Sequence, residues 1–255
     1  VVDPDDLIRT FGADTARLFS LFAAPPEKDL DWNAQGVEGA SRFLNRVWRF
    51  VLRHLAELSE AGPAKPADLS PAGRQFRRTI HETIKRVTDD IEDEFHFNTA
   101  ISAIMELVNA LYAFEAASII SRPASGSPAL MGAGSGKERR SLLREAVETI
   151  VLLLGPFAPH ITEELWEQMG HRDSLFRRRW PEPDPAALAK EAALIVVQVD
   201  GKVRGRLTVA TGARDERISE MALADHTIAA WLKARRIDRV VVVPGRLVNI
   251  VTRGA

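Results

Sequence analysis

Residues 42–55 read Arg42-Phe43-Leu44-Asn45-Arg46-Val47-Trp48-Arg49-Phe50-Val51-Leu52-Arg53-His54-Leu55. Phe43, Leu44, Val47, Phe50, Val51 and Leu55 recur at helical spacing, so they make one apolar face. The run extends to a helix from about Ala34 to Ser59. Gly62-Pro63 closes it. Arg42, Arg46, Arg49 and Arg53 step by four, three and four. At about 100° per residue they fall within roughly 60° of each other, opposite the apolar face. An amphipathic helix this long must bury its stripe against other helices, which points to a bundle.

Working outward, the first 189 residues follow the same period. Asp3-Pro4 opens a helix, with Asp as N-cap and Pro at the first helical position. Gly12 stops it. Asp14 can cap the next, which Pro25-Pro26 ends. A loop over 27–33 leads to the long helix. Ser70-Pro71 opens a fourth helix, which runs to the acidic cluster Asp89–Glu94, and Asn98 caps a fifth. Residues 123–136 are small and flexible and read as a linker-like insertion. Their Gly132-x-Gly134-x-Gly136 spacing is not a dinucleotide fingerprint. Helical periodicity resumes over Leu142–Leu154, breaks at Gly155-Pro156 and ends with a short helix over Ile161–Met169.

After the Pro-rich stretch to Pro185 the period changes from 3.6 to 2. Leu194–Val199 and Lys202–Val209 read as strands joined by Asp200-Gly201, a type I′ hairpin signal. Helices over Arg214–Ala224 and Ala229–Arg235 follow. A second hairpin then pairs Val240–Val243 with Leu247–Val251 across Pro244-Gly245. The expected fold class is mainly α: a helical bundle over residues 1–183, a linker over 184–189, and a small α+β (ββααββ) domain over 190–255.

Composition bounds the function. With 255 residues, 45% hydrophobic and 27% charged, the chain can bury a sizeable core. It has no cysteine, which excludes disulfides, thiolate metal sites and cysteine nucleophiles. Apolar runs such as Ile150–Leu154 are far too short to span a bilayer. The net charge of −1 is unevenly spread. Residues 190–255 carry 12 Lys+Arg against 7 Asp+Glu, and residues 1–189 carry 22 against 28. A basic tail on an acidic body suggests an anionic partner.

Two basic sets are candidates for it. Arginine forks suit phosphate along the Arg42–Arg53 ridge. A solvated helix face, supported by Glu38 and Glu57 four residues from ridge arginines, is the plainer reading. Lys202, Arg204 and Arg206 occupy alternate strand positions and so project to one face, where Arg246 could join them. Like charges on one face repel, and an anion would offset that. His160 and Glu164 are four apart, but two ligands are too few for a metal, and the acidic Asp89–Glu94 run lacks a paired base. No nucleophile–base arrangement stands out, and the scattered tryptophans read as packing residues.

These residues also carry a resemblance. Val1–Asp5 with Gly12-Ala13-Asp14-Thr15-Ala16-Arg17 resembles the segment after the KMSKS loop of class I aminoacyl-tRNA synthetases. Asp31-Trp32 with Arg42–Trp48, and Pro156–Trp166, resemble the first and last signatures of their anticodon-binding bundle. Phe97–Ile101, Gln198–Gly205 and Val243–Val251 are similar to the leucyl enzymes of bacterial type, with Asp200 where Asn is usual. The resemblance implies the C-terminal portion of a leucyl-tRNA synthetase, without its catalytic and editing domains. A valyl or isoleucyl fragment, or a non-enzymatic interaction module, are the rivals. It further implies tRNA(Leu) and the missing N-terminal domains as partners, with the tRNA held by Lys202, Arg204, Arg206, Arg246, Arg42, Arg46, Arg49 and Arg53. No cofactor or metal is expected in this stretch, and ATP and Mg are expected in the parent enzyme. A cytoplasmic monomer with no membrane partner completes the expectation.

Overall fold

The computed structural model describes residues 4–23, 33–62, 69–92, 95–120, 136–189, 192–210, 213–232, 235–243 and 245–253. The expected cap Asp3, the Pro25-Pro26 stop, the 27–32 loop with Asp31-Trp32, residues 123–135 of the expected insertion, Lys190 and Pro244 lie outside them. The chain divides into two units, Val1–Leu188 and Ala189–Ala255.

The first unit is helical: α1 Pro4–Phe11, α2 Ala13–Ala23, α3 Ala34–Ser59, α4 Pro71–Glu92, α5 Phe97–Ile120, α6 Gly136–Leu154, α7 Pro159–Gln168, a 3-10 turn Leu175–Arg177, and α8 Pro185–Leu188. Helix α3 starts where Asn33 accepts the N–H groups of Gln35 and Gly36, the usual N-cap geometry. Its expected apolar face is buried: Phe43, Leu44, Val47, Phe50 and Val51 belong to one core cluster that also holds Ile80 and Ile84 of α4, Ile104 and Leu107 of α5, and Leu143 and Val147 of α6.

Several expectations change. Helix α5 begins at Phe97, so Asn98 lies inside it and is not the cap; Thr99 Oγ1 instead donates to the His96 carbonyl at 2.8 Å. Helix α6 begins at Gly136, which therefore belongs to a helix and not to the insertion. Its early start is held by Glu138, which accepts from both the backbone N–H (2.9 Å) and the hydroxyl (2.8 Å) of Ser70 at the head of α4. Glycine at position 73 permits this approach, since a Cβ there would lie 1.9 Å from Glu138 Oε1. The expected linker also carries structure. Trp180 Nε1 donates to Thr88 Oγ1 (2.8 Å), the Asp184 N–H donates to His81 Nδ1 (3.1 Å), and Arg77 pairs with Asp184 (2.9 Å). Residues 180–188 are thereby strapped to α4. Finally, Phe97–Ser118 of α5 is long and apolar enough to cross a membrane by length and composition, which the short runs of the sequence had not suggested. Its apolar residues, Ile101, Ile104, Leu107, Val108 and Leu111, are spent on the bundle core.

The second unit is a four-stranded sheet of order β2-β1-β4-β3, with β1 Ala192–Val199, β2 Lys202–Ala210, β3 Arg236–Val243 and β4 Leu247–Arg253. The hairpins are antiparallel, and β1 pairs parallel with β4. Helices α9 Asp215–Ala224 and α10 His226–Leu232 cover one face, where Ile218, Ala222 and Ile228 pack on Ile195, Val197, Val199, Val248 and Ile250. Asp200 and Gly201 have φ of 52° and 76°, as a type I′ turn requires.

Candidate nucleic-acid interface

The ridge on α3 forms as its spacing implies, but its four arginines are not equivalent. Arg42, Arg49 and Arg53 are exposed and Arg46 is half-buried. Arg42 pairs with Glu38 at 3.3 Å. Arg46 reaches across to α5, where Nη2 donates to Asn109 Oδ1 (3.1 Å), its guanidinium lies over the Tyr112 ring (4.8 Å to the centroid), and the Tyr112 hydroxyl donates to the Arg46 carbonyl (2.9 Å). Arg46 is thus a packing residue as much as a surface cation. Arg49 Nε returns to the Asn45 carbonyl at 3.2 Å. Glu57 does not serve the ridge. It pairs with Arg139 and His54, and its carboxyl is held below the usual range although partial burial opposes this, because Arg139 hydrogen-bonds and attracts it. Arg42, Arg49 and Arg53 therefore stand as the solvent-facing cations of this stripe.

Beside the ridge, two distant stretches interlock. Asp14, expected to cap its own helix, lies in the first turn of α2 and caps α7 instead. Its carboxylate accepts the backbone N–H groups of His160 (3.3 Å) and Ile161 (2.6 Å) and the His160 ring at Nδ1 (2.8 Å). Arg17 donates through Nε and Nη2 to the Pro156 carbonyl at 3.2 and 3.1 Å. A pocket of about 440 Å³ opens there, lined by Asp14, Thr15, Ser41, Asn45, Trp48 and His160 among others. Spacing within α2 or α7 taken separately carries no signal for a contact between residues 14 and 160.

The hairpin departs from its expected geometry. The register runs Ile195↔Leu207 and Val197↔Gly205, then Gln198↔Val203 and Val199↔Lys202, so β2 carries one extra residue, Arg204, in a bulge. Directly opposed residues share a face. Lys202 therefore lies with buried Val199 on the helix-covered side, whereas Arg206, opposite Val196, lies on the open side. The three cations do not project together. Arg204 stacks on Trp231 of α10, with its guanidinium 3.6 Å from the ring centroid. Gly205 was the available signal, because an isolated glycine in a strand often marks a bulge or close approach. Here a Cβ would lie 2.9 Å from Ile228 Cδ1. Arg246 closes the β3–β4 turn, its N–H donating to the Val243 carbonyl at 3.0 Å, and it stands one residue before Leu247, the partner of Val196, so it does not continue the row of Arg206. The open face also presents Leu194 and Val203, 60% and 57% exposed, with Val241 and Val243.

Asp200 braces the turn. It accepts the Thr252 backbone N–H and hydroxyl, each at 2.8 Å, and pairs with Arg235 at 2.9 Å. The Thr252 bonds, with Arg235 adding its charge, hold its carboxyl below the ordinary range. The Asp200 carboxylate is thereby used by the fold.

Among the described residues no three His, Asp or Glu side chains gather as a metal group. His160 is taken by Asp14, and Glu164 accepts from Gln168.

Residues 73–219 match the family described as the anticodon-binding domain of tRNA ligase. The leucine–tRNA ligases of Geotalea daltonii and Geobacter sp. strain M21 are 53% and 50% identical over 251 residues, 98% of this chain. The chain spans 28% of the length of each. Among solved structures, a leucyl-tRNA synthetase of Agrobacterium radiobacter K84, in a ternary complex with tRNA and LeuAMS, is similar over 100% of this chain and 31% of its own, at 30% identity and a TM-score of 0.78. A methionyl-tRNA synthetase of Mycobacterium tuberculosis shares the fold over 73% of this chain and 37% of its own, at 17% identity and a TM-score of 0.53. The chain belongs to the anticodon-binding domain family of tRNA ligases.

Proposed function

We propose that this chain is the tRNA-binding portion of a leucine–tRNA ligase, whose parent enzyme esterifies leucine to tRNA(Leu) with ATP and Mg. The observation that carries this reading is identity of 50% or more to two leucine–tRNA ligases over 98% of the chain. That favours the leucyl enzyme over the valyl and isoleucyl alternatives and over an unrelated interaction module. The geometry suits the role, because exposed arginines line α3 and further cations flank the β1–β2 turn. On this reading the two units fold independently, and the chain acts as a cytoplasmic monomer. It activates no amino acid by itself.

The test is binding of fluorescein-labelled leucine tRNA to the 255-residue chain, followed by anisotropy across a salt series. Affinity should fall steeply with salt, as counterion release requires, and should exceed that for a tRNA accepting another amino acid. Equal affinity for both tRNAs, or for any polyanion of equal charge, would overturn the leucine assignment. Leucine-dependent ATP–pyrophosphate exchange by the chain would overturn its catalytic silence.

A further inference from the structure

We propose that the pocket between the α1–α2 junction, α3 and α7 receives a single nucleotide, base inward, from an RNA whose phosphates follow the arginine side of α3. This deepens the tRNA-binding reading and rests on it.

His160 is the first reason. Its side chain is 78% exposed, yet its ring is fixed, because Nδ1 donates to an Asp14 carboxylate that is only 11% exposed. A carboxylate accepts only, so Nδ1 carries the proton and Nε2 is the outward nitrogen. Nε2 has no partner among the described residues. Asp14 would cap α7 equally well through the two backbone N–H groups. Orienting an exposed imidazole adds little to the fold, but it presents a hydrogen-bonding edge at the pocket.

The α3 wall is the second reason. Ser41, Asn45 and Trp48 stand at i, i+4 and i+7, so they form one stripe. The Asn45 amide donates to the Ser41 carbonyl at 2.9 Å, and its side-chain oxygen remains to accept. Trp48 is half-buried and adds an aromatic wall, the type of surface on which unstacked bases rest. The volume of about 440 Å³ falls in the range of small-ligand pockets.

Charge placement selects the ligand class. The arginine stripe lies about 100° around α3 from the pocket stripe, and Arg49 Nε contacts the Asn45 carbonyl between them. Phosphates fit outside on Arg42, Arg49 and Arg53, with a flat, edge-bearing group inside. An acidic peptide satisfies the arginines but supplies no flat base for Trp48. A metal ion is disfavoured because Asp14 already accepts from three donors.

The experiment follows the His160 imidazole and Trp48 indole proton resonances of the unaltered 255-residue chain. Leucine tRNA is titrated first, then each of the four 5′-mononucleotides. Shifts of both residues with tRNA, and with at least one mononucleotide, are the expected result. Tight tRNA binding by anisotropy with both resonances unmoved overturns the pocket and leaves the tRNA reading intact. Absence of tRNA binding overturns the tRNA reading, and the mononucleotide titration then decides the pocket: shifts at both residues support it, and none refutes it. His160→Ala is the second arm. Loss of a base contact should weaken tRNA binding about tenfold with an unchanged salt slope. An unchanged affinity, or a slope reduced by one phosphate, contradicts the proposal. If that variant does not fold by circular dichroism, the titration of the unaltered chain stands as the test.

Discussion

The bundle carries its exposed cations along one continuous helix, whereas the small unit divides its cations between two faces of a sheet. On α3, each residue's direction follows from a rotation repeated without interruption over 26 residues. On β2, direction follows from a two-residue alternation that a single extra residue reverses. A helical charge stripe is therefore a robust surface, and a strand charge stripe is only as good as its register. The bundle can offer a line of phosphate contacts. The hairpin offers Lys202 and the stacked Arg204 on one side, and Arg206 on the other.

The largest expected effect lies where the bundle's two distant stretches lock. Asp14→Ala removes the acceptor of two backbone N–H groups and the orienting partner of His160. It should destabilise the first unit by about 2–3 kcal/mol, measured by urea unfolding, and leave the second unit's transition in place. A shift of both transitions would show that the units do not unfold separately.

The second prediction attacks the small unit in the same way. Gly205→Val drives a side chain into Ile228 and should cost about 1–3 kcal/mol in that unit. Calorimetry should show the bundle's transition unmoved. Tolerance of valine would mean that the bulge is not fixed by close approach of α10.

The third sharpens the difference among ridge arginines. Arg46→Ala should cost about 1 kcal/mol through loss of Asn109 and Tyr112, measured by thermal melting, while Arg53→Ala stays within about 0.5 kcal/mol. Equal costs would return Arg46 to the plain surface.

The fourth concerns acid and the strap over α4. Hydrogen bonding from the Ala186 N–H, then Arg77, holds the Asp184 carboxyl below the ordinary range. A depressed carboxylate contributes stability that is present above the unfolded value of about 4 and is lost as pH falls through the lower folded value. Limited proteolysis near neutral pH should thus separate the units after Leu188. At pH well below 4, cleavage by an acid-active protease should extend into residues 180–188. Cleavage within 180–185 at neutral pH would contradict the strap.

Much of this architecture is legible in the sequence. Asp200-Gly201 announced its hairpin, and the α3 period announced both a core face and a ridge. What stayed hidden is non-local. Asn98 has the chemistry of a cap, but sequence cannot reveal that α5 starts at Phe97, two residues before the Thr99 start that such a cap implies. The strap reads as linker in the sequence because Pro-rich composition hides its partners, Arg77, His81 and Thr88. Asp14 capped a helix more than 140 residues away. The hairpin's common face failed on one bulge, which Gly205 hinted at without locating.

The most direct test of two separate cationic surfaces is the salt dependence of leucine tRNA binding, measured for four forms: the unaltered chain, the Arg42, Arg49 and Arg53 triple alanine variant, and Lys202→Ala and Arg206→Ala singly. Each phosphate contact contributes a slope of about 0.7–0.9. The ridge variant should lose about two to three such contacts, and at least one hairpin variant should lose about one. Unchanged slopes in the ridge variant and in both hairpin variants would contradict the account.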